Sequence, residues 1–375
     1  MVAGRALNAA AQGTASTWWP VARESRNGVG ILRANGTRFR PRKFAGRASN
    51  YLTYFGSSVL ASARVKAPDV VVSLTDPPIV GLAAWWTARR TGARFVFLCE
   101  DIFPEVASLL EDFHNPFVNR SLDRINRFLL READAVVALG ERMRSRLVDE
   151  KGADPDRVRV IHNWADCDEI KPGRKDNPFA KAMGFVDRFV VMHSGNVGMS
   201  QNLDVLVAAA DLLRSKPRLT IAIVGDGARR AWLEAEAARR QLSNLRFLPY
   251  QPKEALHDSF AAADVFLVSL KPGIEGYIVP SKLYGILAAG RPFIAAVDPS
   301  CEAAEIAVTH RCGMLARPGD AGDLADKIAL LYDAPAQTRQ MGANARDAAL
   351  RFDRKNAVGQ YYELFAQLVR VARAA

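Results

Sequence analysis

The chain has 375 residues, 49% of them apolar, and a mean hydropathy of −0.06, which excludes a disordered polypeptide and exceeds what one ordinary core fills. The best candidate for a membrane span, 69–86, is interrupted by Asp76, Pro77 and Pro78, so a transmembrane helix is excluded. The net charge of +11 lies wholly within residues 1–95, which carry 14 Lys and Arg against 3 Asp and Glu, whereas the remainder is balanced.

Met1-Val2-Ala3-Gly4-Arg5 reads as the end of a strand, and residues 6–27 read as irregular. The basic excess concentrates at Arg38, Arg40, Arg42, Lys43 and Arg47. Tyr51, Leu52, Tyr54 and Phe55 follow, then Val59, Leu60, Arg64 and Lys66. Basic residues beside an aromatic and aliphatic stripe point to an anionic membrane surface, with no nucleic-acid partner expected. The plain alternative is a solvated basic face over an ordinary core helix. The first residues lack the basic-then-apolar layout of a signal peptide. Cys99, Cys167, Cys301 and Cys312 show neither pairing nor metal-ligand spacing, which fits a reducing cytoplasm, and Cys99 and Cys312 fall in apolar runs as small buried hydrophobes.

From residue 69 onward, strands and helices alternate. Strands are predicted at 69–74, 94–99, 135–139 and 158–161, and helices from 79 to 87, over about 117–131 and over 141–149. The polar stretch 166–186, with Pro172, Gly173 and Pro178, marks a linker. A second series follows, with strands at 189–193, 219–224, 245–248, 265–268, 293–296 and 313–316, and the last 40 residues are helical. Such alternation implies doubly wound parallel sheets in two α/β domains, 1–165 and 187–352.

Ligands of open α/β sheets bind beyond the carboxyl ends of the strands. Ser194-Gly195-Asn196-Val197-Gly198 stands there, and its glycines allow backbone amides to approach a diphosphate. Pro280, Ser281 and Lys282 lead from a loop into a helix whose apolar residues are Leu283, Ile286 and Leu287 and whose stop is Gly290. Ser281 is placed to cap that helix, and a lysine in its first turn opposes the dipole, as a phosphate-binding lysine would. Asp226 is placed to cap the helix after strand 219–224. Glu100 and Asp101 end strand 94–99; neighbours on a continuing strand point to opposite faces, and an N-cap for the next segment is the alternative role. No G-x-G-x-x-G opens a helix, which argues against a dinucleotide oxidoreductase.

Val279-Pro280-Ser281-Lys282-Leu283-Tyr284, followed by Leu287-Ala288-Ala289-Gly290-Arg291-Pro292, closely resembles retaining glycosyltransferases of family 4, and more specifically their bacterial branch that builds surface polysaccharides. Glu100-Asp101-Ile102-Phe103-Pro104-Glu105, Val160-Ile161-His162-Asn163-Trp164-Ala165-Asp166, Ser194–Gly198 and Val224-Gly225-Asp226-Gly227 agree with that family in order along the chain, over about residues 50–370. The resemblance implies a GT-B fold, in which two Rossmann-like domains face a cleft and a terminal helix, here 353–375, crosses back to the first domain. It implies transfer of a sugar from a nucleotide diphosphate donor to a hydroxyl acceptor with retained configuration, without a metal or other cofactor. A polyprenyl-linked saccharide at the inner face of the cytoplasmic membrane is the implied acceptor. Donor contacts are implied at 194–198, Tyr250, Gln251, Tyr277, Ser281 and Lys282, and catalytic contacts at Asp101, Glu100 and Glu275.

The sequence departs from the family pattern in three places. Aligned on Ala289-Gly290, the two glutamates common in the family fall at Tyr277 and Gly285, and Glu275 is the substitute for the first. Gln201 or Asn202 stands where many relatives carry a basic residue, which leaves Lys282 as the leading phosphate cation. Relatives also begin with an apolar strand, a Gly-rich loop and a helix, and the first βα unit is expected to be lacking here. The alternatives are a non-catalytic or truncated GT-B binding module and a sugar-nucleotide epimerase on the same plan.

Overall fold

The computed structural model describes residues 1–4, 21–37, 39, 44–110 and 115–374. Arg38, Arg40, Arg42, Lys43 and the Arg47 side chain, the centre of the basic cluster, lie outside the described residues. Two compact units form: residues 1–139, 144–160 and 362–375 make the first, and residues 140–143 and 161–361 the second.

The first unit contains two sheets. Strands β1 (Val2–Ala3), β2 (Val21–Arg26) and β3 (Val29–Ala34) form a small sheet in the order β1-β3-β2. Residues 21–26 are therefore not irregular. They are one arm of a hairpin that turns at Asn27-Gly28, both at positive φ (51° and 78°), with Arg26 opposite Val29. Asn-Gly is the strongest two-residue hairpin signal, because both positions need the left-handed region. It was present in the sequence and masked by the charges of the strand it serves. Strands β4 (Val70–Ser73), β5 (Arg94–Cys99), β6 (Ala135–Ala138) and β7 (Val158–Val160) pair in parallel in that sequential order. β6 is buried throughout and reads as an unbroken apolar run, as a strand covered on both faces should.

A pocket lined by Arg94, Asp134, Arg157, Arg159, Leu364 and Leu368 opens at the amino ends of β5–β7. Its arginines are engaged: Arg94 pairs with Asp134 at 2.8 Å, Arg157 donates to Ala133 O at 3.2 Å and Arg159 to Asp156 O at 2.7 Å. It lies at the opposite end of the sheet from where α/β proteins bind ligands, and we read it as the seam along which the C-terminal segment seats. That segment belongs to the long helix Arg354–Ala374, whose residues from Tyr362 onward count with the first unit.

The second unit is one six-stranded parallel sheet of β8 (Phe189–Ser194), β9 (Leu219–Val224), β10 (Leu245–Leu248), β11 (Val265–Ser269), β12 (Phe293–Ala296) and β13 (Gly313–Ala316). The order β10-β9-β8-β11-β12-β13 runs outward in both directions from the β8–β11 pair, which is the doubly wound pattern with its switch point between those two strands. Val191, Ile221, Ile223, Val265, Leu267 and Ile294 fill the core on one face. Residues 166–186, read as a linker, are built into this unit. The helix Pro178–Met183 is capped by Asn177, whose side chain accepts from Ala180 N, and Phe185 is fully buried. Polarity there reflects capping and turn residues rather than a free segment.

Candidate functional site

β8 and β9 end side by side, and their turns interlock. Gly195 N donates to Val224 O at 2.9 Å, and Val197 N to Asp226 O at 2.9 Å. A Cβ on Gly225 would stand 1.9 Å from Gly195 O, and φ there is 142°, so only glycine fits. Gly225→Ala should therefore destabilise the protein by roughly 2–5 kcal/mol, from backbone strain plus overpacking. Urea unfolding of the variant reads this directly, and a change within ±0.5 kcal/mol would contradict the interlock.

The interlock alters how the Ser194–Gly198 turn meets an anion. The Gly195 and Val197 amides are already used, which leaves Asn196 and Gly198 as the turn's unengaged amide donors among the described residues. Asp226 does not cap a helix. The helix starts only at Arg230, and the carboxylate accepts from Gly227 N at 2.7 Å. Tyr250, 55% exposed, donates its hydroxyl to Asp226 O at 3.3 Å and so stands at the rim of the same turns. Gln251 Nε2 donates to Pro249 O at 2.9 Å.

Lys282 comes to this place from 81 residues beyond Gln201. Its Nζ donates to Gln201 Oε1 at 2.9 Å and lies 3.4 Å from His193 Nε2, and a Cβ on Gly195 would be 3.6 Å from it. Burial lowers its pKa from 10.5 to about 7, and no carboxylate pairs with it among the described residues. Desolvating a cation without a counter-ion is costly, so the ammonium form is disfavoured here. Ser281 does not support it as expected. The serine is exposed, already in helical conformation (φ −57°, ψ −25°), and makes no capping hydrogen bond; the helix Lys282–Ala288 has only seven residues. The lysine, not the helix end, is the basic group of this site.

His193 was not singled out in the sequence. It is fully buried at the end of β8, its Nδ1 has no partner, and burial followed by the nearby lysine holds its pKa well below 6.5. The signal that marks it is a lone imidazole in the otherwise apolar Phe189-Val190-Val191-Met192 run.

Glu275 bridges to Ile278, and Tyr277 N donates to Ile274 O at 3.1 Å, so these two sit in a tight turn ahead of Pro280. Gly285, the position aligned with the second family glutamate, faces inward. A Cβ there would be 3.2 Å from the Phe260 ring, with Ile170 also in contact. A side chain there would press on the Phe260 ring, and glycine allows the helix's close approach to it.

In the first unit, β5 ends at Cys99, so Glu100 and Asp101 lie beyond the strand. The buried Thr75 Oγ1 accepts from both of their amides at 3.2 Å. Asp101 has a pKa pushed up from 3.8 to about 6, chiefly by burial and then by the charges of Asp76 and Glu100; Glu100 and Asp76 are raised as well, each mainly by burial. Asp76, not anticipated as a site residue, thus joins the pair, with Tyr51 hydrogen-bonded to it. Neither carboxylate caps the following helix Glu105–Leu109, which has Pro104 at its N-cap and no side-chain cap.

Two parallel-sheet units, the second doubly wound with glycine turns at its switch point, are the architecture of the GT-B class. HepE of Anabaena, whose structure was determined with UDP and glucose, shares this fold at a TM-score of 0.72 and 18% identity, covering 91% of this chain and 87% of HepE. Residues 176–348 match the glycosyl transferases group 1 family and residues 5–164 the glycosyl transferase 4-like domain. The probable glycosyltransferase WbjE of Pseudomonas aeruginosa is 31% identical over 275 residues, 72% of this chain and 68% of WbjE. The putative colanic acid biosynthesis glycosyl transferase WcaI of Escherichia coli K12 is 32% identical over 267 residues, 67% of this chain and 62% of WcaI. The chain belongs to the group 1 glycosyltransferases, within family 4.

Proposed function

We propose that this protein transfers a sugar from a nucleotide diphosphate donor to a hydroxyl acceptor, with retention of anomeric configuration. The observation that carries this reading is Lys282, a partly buried amine without a carboxylate partner among the described residues, set against the interlocked glycine turns at the switch point. The departing diphosphate takes the electron pair of the broken sugar–oxygen bond, and Lys282 with the Asn196 and Gly198 amides stabilises that charge. Tyr250 and Gln251 border the base, and Glu275 and Tyr277 border the transferred sugar. Asp101, with Glu100, orients the acceptor hydroxyl and receives its proton. Catalysis without a metal cofactor belongs to the same proposal.

UDP-sugars are the first donors to try, since HepE was crystallised with UDP and glucose. Surface polysaccharide synthesis on a polyprenyl-linked acceptor is the process we infer, supported by the name of WcaI. Among the described residues, no helix is long and apolar enough to cross a membrane. Docking on the cytoplasmic face of an anionic bilayer rests on the N-terminal charge and on exposed Leu52 and Leu60 of the helix Phe44–Ser62. The protein should pellet with anionic vesicles, should be released by salt, and should not pellet with neutral vesicles; equal binding to both contradicts electrostatic docking.

A thermal-shift panel of nucleotide sugars, followed by acceptor-dependent turnover with the donor found, tests the function. Release of free nucleotide diphosphate without any acceptor would favour an epimerase, and binding without turnover a binding module.

A further inference from the structure

The His193–Lys282–Gln201 contact has a polarity of its own. His193 Nε2 lies 3.3 Å from Asn196 O. A carbonyl oxygen only accepts, so Nε2 must be the protonated ring nitrogen. The partnerless Nδ1 is then the bare nitrogen, the less costly of the two to leave unpaired in the interior. With its single N–H on Asn196 O, Nε2 has no lone pair to offer Lys282 Nζ, 3.4 Å away. An ammonium would thus face a ring nitrogen that cannot accept and would find one side-chain acceptor for its three hydrogens, whereas a neutral amine carries two and still donates to Gln201 Oε1 at 2.9 Å. His193 is the titratable group facing Lys282 from β8. Gly195–Gly198 and the turn Met199–Gln201 bring no ionisable side chain, and burial is the whole cause of the lysine's lowered pKa, with no carboxylate or second cation contributing.

We propose that His193 and Gln201 hold Lys282 as a neutral amine in the free protein, and that the diphosphate of a nucleotide sugar converts it to an ammonium, so that donor binding takes one proton from solvent. His193 and Gln201 are positioning residues that set the resting protonation of the phosphate cation. The inference rests on the reading of this site as the donor site. Both phosphates of a nucleotide sugar are esterified and already ionised, so a proton taken up near pH 8 comes to the protein. Affinity should accordingly fall as pH rises above about 7, approaching tenfold per pH unit when a full proton is linked.

Titration calorimetry at pH 8 in buffers of different ionisation enthalpy reads the linkage, with UDP-glucose or the panel member of largest thermal shift as probe. We expect an uptake approaching one proton per bound donor. Lys282→Arg, which stays charged throughout, should show no uptake and a flat affinity between pH 7 and 9, whatever its absolute affinity. If that variant does not fold, Gln201→Glu supplies a carboxylate that keeps Lys282 charged, and uptake should vanish there too. Donor binding with less than about 0.2 protons taken up by the unmodified protein, or unchanged uptake in Lys282→Arg, overturns the proton linkage and leaves the donor site standing. No binding by any panel member overturns both.

Discussion

Replacing Lys282 by methionine should weaken nucleotide diphosphate binding by about 1.5–3 kcal/mol, or roughly 10- to 150-fold, the scale of hydrogen bonds to a charged group. The ligand-free thermal midpoint should not fall. Burial lowers the lysine's pKa from 10.5 to about 7, so the fold resists its charge. The unfolded chain therefore binds more protons between those values, and the lysine's cost to stability is full below about pH 7 and fades as pH rises toward 10.5. Methionine removes that cost and keeps the stem packed beside Gly195. Calorimetry with UDP and a melting curve on the same sample settle the matter. Unaltered affinity would show that the lysine does not meet the phosphates. Lost affinity together with a lower midpoint would show a packing role instead.

The second large effect is expected at Asp101. Asp101→Asn should lower turnover by about 10²–10⁴-fold, the contribution of a positioned proton acceptor. The acid limb of the unmodified enzyme should reflect a carboxyl whose pKa is pushed up to about 6, with turnover falling as pH drops through that value. Because burial opposes the ionised form, the stability of the fold falls as pH rises from 3.8 to about 6, and Asn should leave the midpoint at pH 7 no lower. Asp76→Asn removes a neighbouring charge that raises Asp101, so its acid limb should shift to lower pH with turnover at pH 8 little changed. A pH–rate profile insensitive to Asp76, or full activity in Asp101→Asn, would remove the carboxylate cluster from the reaction.

The strands of the second unit were legible because parallel strands covered on both faces are mostly apolar runs, with Arg246 on the sheet's edge strand an exposed exception. Leu219–Val224, Leu245–Leu248, Phe293–Ala296 and Gly313–Ala316 stand at the residues that their apolar runs and bounding turn residues indicate. The hairpin Val21–Ala34 was not legible by the same rule. Its arm Val21–Arg26 is mostly exposed and charged, and only Asn27-Gly28 announced it. The order of motifs along the chain carried the family, since a site that gathers at strand ends must draw on turns spaced one βα unit apart.

Sequence by itself determined the two α/β series and singled out the turn at 194–198 and Lys282, because periodicity and loop chemistry are local. Only the tertiary structure decided which polar groups remain available. Sheet order puts β9 beside β8, so the Gly195 and Val197 amides are consumed by Val224 and Asp226. It brings Lys282 onto His193 and Gln201, and it turns Gly285 toward the Phe260 ring. Thr75 likewise reaches across from β4's end to fix Glu100 and Asp101 beyond β5. These outcomes depend on the desolvation and donor count of atoms distant in sequence, and no local pattern encodes a contact that the pairing of strands creates.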